Sequence, residues 1–367
     1  MIGGVILRSE WIAIIAIIIC LFILSLEYLW LAILSKRQSD NYNKYETVSR
    51  KVAQMVEGIL YSPTALSRKN ETEALKELMG DDYKIFEMIS AQLCFWEEYG
   101  DENTLENKIE VIDGIYDVLD PVKLFSDLLK ANNKYTVGYA CRRLADFDAY
   151  DYLNDILELS EGKNRDVAYH AAMALSRYGY AEGVAKFIIR IENDKQYSFR
   201  LVNELFDNFS ADKAELASMV FSECKEYMKI TVIKAISHYR LFEFEQMYIE
   251  GMSSKNSAMR IACIKALGDL ANPENEQFLI TATHDKDWVV RSSAVKGLGK
   301  IDTPNALEGI KEATKDKEWW VRQAAAGALI EMNVSISDIE DILSGYDKYA
   351  ADAVKYALYR SVDMKEG

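Results

Sequence analysis

The strongest regularity along the chain is a recurring pattern of apolar and polar positions. In Lys286–Gly299 (KDWVVRSSAVKGLG) and Lys317–Ile330 (KEWWVRQAAAGALI) apolar residues fall at helical spacing, and the two stretches start 31 residues apart. With Arg291 as position zero, Leu298 lies at +7; the same frame pairs Arg260 with Leu267 and Arg322 with Leu329. Earlier copies pair Lys229 with Ile236, Ser198 with Leu205, Ala168 with Leu175 and Val137 with Leu144, and a shortened step forward pairs Ala351 with Leu358. Position +3 is Ala140, Ala171, Leu201, Val232, Cys263, Ala294, Ala325 and Val354, while +6 is small at Ala174, Ala235, Ala266, Gly297, Ala328 and Ala357. At 100° per residue, positions −1, +3, +6 and +7 share one helix face, and −2, +1 and +5 lie roughly opposite.

Pro273 and Pro304 keep the same spacing, each behind a capping residue, Asn272 or Thr303. Each unit therefore reads as two antiparallel helices, one opening at the proline and one carrying the motif. A helix pair this short cannot cover its own apolar face. Stacked copies bury it against each other, and end copies deviate. The pattern predicts an all-α fold of eight stacked units, degenerate at both ends.

The consensus V-R-x-x-A-x-x-A-L-G, read in Val289–Gly299 (VVRSSAVKGLG) and Met259–Gly268 (MRIACIKALG), resembles short HEAT repeats, of the type also found in phycobilin-lyase-like proteins. The resemblance implies an α-solenoid of antiparallel helix pairs. It also implies that the position-zero Arg260, Arg291 and Arg322 brace adjoining units through acidic residues four before zero, Asp287 and Glu318, with Asn256 departing from that pattern. Trp288 and Trp319 are expected to be structural.

One stretch breaks the amphipathic pattern. Trp11–Leu34 (WIAIIAIIICLFILSLEYLWLAIL) is apolar almost throughout. As a helix it would span about 36 Å, enough for a hydrocarbon core of about 30 Å. Lys36, Arg37, Lys44, Arg50 and Lys51 follow it and only Arg8 precedes it, so the positive-inside rule places the C-terminal side in the cytoplasm. These residues predict a single-pass protein of the cell membrane, N-terminus outside. Glu27 would meet a partner membrane helix or reach the inner interface. Lys36, Arg37, Arg50 and Lys51 would meet anionic lipid headgroups. The domain reading is an anchor over 1–35, a basic neck and helical cap over 36–104 including the apolar helix Tyr83–Tyr99, and the solenoid over 105–367.

Composition adds exclusions. Gly (18) and Pro (4) are scarce, which favours helices. The net charge of −15 disfavours nucleic acid as a partner. The five cysteines are scattered without C-x-x-C spacing and read as reduced, packed residues. The three histidines, His170, His238 and His284, form no metal-ligand motif, and no phosphate-binding glycine loop or nucleophile elbow occurs. No cofactor and no enzymatic activity is expected.

The remaining chemistry is a surface. Position +5 is lysine in three successive units, Lys234, Lys265 and Lys296. Position −2 adds Trp320, and +1 adds Gln323 and Tyr169. This exposed face predicts a groove in which lysines meet acidic groups and Trp320 anchors an aromatic contact. The expected function is a membrane-anchored cytoplasmic scaffold for another, membrane-associated protein such as an enzyme or transporter. Two rivals are a pigment lyase or isomerase and a nucleic-acid-binding solenoid.

Overall fold

The computed structural model describes residues 36, 43–62, 64–99, 108–192 and 199–366. The described residues are helical, and the chain divides into two compact units, Met1–Asp127 and Leu128–Gly367.

The first unit contains α1 (residues 43–61), α2 (Ala65–Met79), α3 (Tyr83–Tyr99), α4 (Lys108–Leu119) and α5 (Pro121–Leu128). The apolar stretch expected to be helical is α3. Thr64 caps α2 by accepting from the Ser67 N–H. Val56, Ile59, Leu75, Phe86, Ile89, Leu93 and Phe125 form the core, with Phe86 edge-on to Phe125 at 5.4 Å between ring centres.

The single-pass membrane localisation is corrected here. Among the described residues, no helix is long and apolar enough to cross a membrane. The 19-residue helix Lys348–Glu366 carries Lys348, Asp352, Lys355 and Arg360 within its span, which a hydrocarbon core would not accommodate. The stretch that suggested the span, residues 11–34 with Glu27, lies outside the described residues, as does Arg37. Lys36 and Lys51 are exposed, and Arg50 pairs with Glu46 on its own helix at 2.6 Å.

The second unit alternates two kinds of helix. The motif helices are α6 (Lys134–Asp146), α8 (Arg165–Arg177), α10 (Phe199–Asn208), α12 (Glu226–Ile236), α14 (Ser257–Leu270), α16 (Trp288–Ile301), α18 (Trp319–Glu331) and α20 (Lys348–Glu366). Between them lie α7 (Leu153–Glu161), α9 (Ala181–Ile191), α11 (Lys213–Glu223), α13 (Glu245–Gly251), α15 (Glu276–Ala282), α17 (Pro304–Ala313) and α19 (Glu340–Leu343). Each motif helix packs against the next, from α6 through α20. The intervening helices return along the other side.

Burial follows the frame read from the sequence. Leu144, Leu175, Leu205, Ile236, Leu267, Leu298 and Leu329, all at +7, have no exposed surface. Each contributes about 1.5–3 kcal/mol by leaving water. Leu358, in the last unit, is half-buried. Small residues let the helices close up: a Cβ on Gly268 would lie 2.6 Å from the Gly297 Cα. Ser198 lies outside the described residues.

Helix ends repeat as well. The Asn272 side chain accepts from the Glu274 N–H, and that of Thr303 from the Ala306 N–H. A residue in the left-handed region follows six motif helices: Asp148, Gly179, Arg240, Ala271, Asp302 and Asn333, all at +11. Only one of the six is glycine, so the sequence did not advertise this cap.

Candidate partner-binding groove

Lys234, Lys265 and Lys296 stand at +5 on α12, α14 and α16, opposite the buried +3, +6 and +7 side chains, and all three are exposed. Together with Lys300, Asp269 and Glu331 they line a concavity of about 500 Å³. Lys300 is neutralised by an ion pair with Asp269. Among the described residues, no carboxylate lies within ion-pair distance of Lys234, Lys265 or Lys296. The row is therefore a set of unspent positive charges on an otherwise acidic chain.

A second concavity, about 420 Å³, adjoins the first and shares Lys265, Lys296 and Glu331 with it. Its further walls include Trp288, Trp320, Gln323 and Gly327. Trp288 and Trp320 stack with ring centres 6.3 Å apart, and Trp319 meets Trp320 edge-on at 4.5 Å. The three indoles are 39%, 58% and 50% exposed in the order Trp288, Trp320, Trp319. Trp288 and Trp319 thus face solvent, where the sequence suggested framework residues. Gly327 occupies position +5 of α18, where the preceding units have lysine, and a Cβ there would meet nothing within 4 Å.

The structure brings Lys234, Lys265, Lys296, Trp320 and Gln323 onto these two adjoining surfaces, but not Tyr169. The Tyr169 hydroxyl donates to Glu204 at 2.9 Å on an earlier pair of units. Burial first, then this bond to a carboxylate, raises its pKa. Sequence reasoning missed Trp288, Lys300 and Gly327. Gly327 was legible as the break in the lysine register.

The arginine ladder exists with different acids. Arg260 forms a bidentate pair with Asp285 (2.9 and 2.9 Å), and Arg291 with Asp316 (2.7 and 2.9 Å), each in the following unit. Their remaining nitrogens donate to the Ser254 and Asp285 carbonyls. Asp287, assigned as a bracing acid, instead accepts from the Val289 N–H at the start of α16. Glu318 holds the equivalent position on α18 without a side-chain cap bond. The reason is geometric: four before zero is the helix N-cap, which points along its own helix. The acid six before zero sits in the turn that faces the preceding arginine. Among the described residues Arg322 has no carboxylate rung; its guanidinium lies over the Tyr349 ring at 5.4 Å.

Burial pushes the Asp285 and Asp316 carboxyls up. The arginine hydrogen bonds, a backbone N–H (of Asp287 or Glu318) and the arginine charge outweigh it and hold both below the usual carboxylate range. Cys141 and Cys263 are buried, and burial pushes each thiol up to about 12. Cys94, by contrast, is exposed. Among the described residues there is no group of His, Cys, Asp and Glu side chains that could hold a metal ion.

Comparison with known proteins agrees with the late repeats. Residues 245–331 match the family model described as HEAT repeats. The match does not single out the phycobilin-lyase-like type. No curated protein matches the chain. Among solved structures, Kap95p bound to RanGDP is similar with a TM-score of 0.42 and 13% identity, over 86% of this chain and 50% of that one. An engineered protein is similar at a TM-score of 0.33 and 13% identity, over 85% of this chain and 91% of that one. Human deoxyhypusine hydroxylase is similar at 0.28 and 14%, over 79% and 98%. The chain spans about half the length of Kap95p. The described residues of the second unit form an all-helical array, of which residues 245–331 match HEAT repeats.

Proposed function

We propose that the chain is a HEAT-repeat scaffold that binds a partner protein rather than an enzyme, and that the partner presents acidic groups to Lys234, Lys265 and Lys296 and an aromatic contact to Trp320. The single observation that supports this is the concavity itself: three lysines without carboxylate partners stand in register on neighbouring helices beside a stacked pair of exposed indoles. Desolvated aromatic anchors supply most of the affinity in such surfaces, and charge supplies selection and encounter rate. The pigment and nucleic-acid readings have no comparable observation. The net charge of −15 argues against a phosphate backbone.

The test is capture with the full chain, followed by crosslinking and mass spectrometry. A reproducible partner is expected to be lost on Lys265→Glu combined with Lys296→Glu, and on Trp320→Ala. Capture unchanged in both variants would sink this face as the docking site.

A further inference from the structure

Resting on that reading of the groove, we infer that its occupant is an acidic segment in polyproline II conformation, with carboxylates at every third residue and an aromatic residue three positions further on. The spacing carries the inference. Lys234, Lys265 and Lys296 occupy the same position on three helices packed side by side. Packed helices lie about 8–10 Å apart. A chain crossing these helices must therefore present a like side chain on one face about every 9 Å.

Regular conformations differ in this repeat. A β-strand returns to the same face every second residue, about 6.7 Å. An α-helix returns every turn, about 5.4 Å, and drifts out of line over longer steps. Polyproline II returns every third residue at about 3.1 Å per residue, close to 9 Å. It has no internal hydrogen bonds and is already ordered before binding, so it loses little conformational entropy on docking.

The fourth site in the row is different. Position +5 of α18 is Gly327, above which there is open space, and the Trp288–Trp320 stack forms the wall. Glu331 lines both concavities and disfavours a fourth carboxylate. An aromatic side chain fits this depression by shape and by stacking.

The probe is a fluorescent synthetic peptide of three Glu-Pro-Pro triplets ending in Trp, titrated into the full chain by anisotropy. Its isomer with the three glutamates contiguous is the register control, and polyglutamate is the charge control. The spaced peptide is expected to bind about tenfold or more tighter than the isomer, and to weaken with salt. Lys265→Glu with Lys296→Glu should abolish binding of both. Gly327→Leu projects into open space and so leaves the packing intact. It should erase the advantage of a terminal Trp over a terminal Ala. Equal binding of spaced and contiguous peptides overturns the register. If polyglutamate nevertheless binds the wild type and not the double lysine variant, the acidic-partner groove stands without it. Polyglutamate that binds neither, or both equally, overturns the groove and the register together. A terminal Trp that brings no gain in the wild type overturns the aromatic position.

Discussion

The early repeats, α6 to α12, and the late repeats, α14 to α18, stack in the same way by different chemistry. The late units are joined by polar rungs. Arg260–Asp285 and Arg291–Asp316 link successive turns, while Glu245 accepts from Asn272 and Asn275, and Glu276 from Asn305. The early units have Val137 and Ala168 at position zero, both buried. They lack a buried arginine rung and rely more on shape, with Phe206 and Phe209 filling the core and a Cβ on Gly138 striking the His170 ring, beside hydrogen bonds from the Tyr178 hydroxyl to the Ala149 carbonyl at 3.0 Å and from Tyr169 to Glu204. A repeat can thus be held in register by residue identity or by complementary volume. The former leaves a pattern that a family model recognises, and the match over residues 245–331 contains both arginine rungs.

The largest expected effect is at position zero. Arg291 is 5% exposed, and truncating it leaves the half-buried Asp316 without its partner. Arg291→Ala should cost about 3–5 kcal/mol in urea unfolding. Lys229→Ala, the early counterpart at a half-buried side chain, should stay within about 0.5 kcal/mol. Similar losses at the two sites would erase the distinction between rung-held and shape-held repeats.

Position +7 should show no such difference. Leu298 and Leu175 are both fully buried. Leu298→Ala and Leu175→Ala should each cost about 3 kcal/mol, within the range for buried leucines. A large inequality would mean that one half relaxes around a cavity and the other does not, which would sharpen the comparison rather than remove it.

Acid should weaken the halves in different windows. Burial, then the nearby Arg142 charge, lowers the His170 pKa against the opposing pull of Asp166. Below the ordinary histidine value of about 6.5 the unfolded chain takes up a proton that folded His170 resists, so stability falls as pH drops from there toward the folded value. Asp285 and Asp316 are depressed carboxylates. Their contribution is complete above about pH 4 and is lost as pH falls through their folded values. His170→Gln should flatten the first limb of stability against pH, and Asp316→Asn the second. Loss of both limbs from one substitution would contradict the separation.

The motif frame made the fold of the late half legible, because Arg260, Arg291 and their leucines recur at one spacing. The +5 lysines were legible for the same reason: a helical wheel fixes which side faces water. What stayed hidden depended on neighbours. The bracing acids Asp285 and Asp316 lie in turns, where direction is set by the chain's path and not by helical period. Trp288 stacks on Trp320 across two helices 32 residues apart in sequence, a pairing that periodicity within one helix does not express. The apolar run Trp11–Leu34 suggested a membrane span from hydropathy alone, and no described helix supplies one.

The smallest effect compares the two halves at the helix end. Position +11 is left-handed in both, with φ of 70° at Gly179 and 52° at Ala271. A side chain pays about 1–2 kcal/mol to adopt this conformation, whereas glycine adopts it freely but loses more entropy from the unfolded chain. Ala271→Gly should therefore stabilise the late half by about 0.5–1 kcal/mol. The reciprocal change has a second cost. A Cβ on Gly179 would lie 2.8 Å from the Ala211 Cβ and 2.9 Å from the Ser210 Oγ, so the next unit must shift to accept it. Gly179→Ala should thus lose more than Ala271→Gly gains, by thermal or urea unfolding. Equal and opposite changes would show that the early half yields at this contact, and that its register does not depend on close shape.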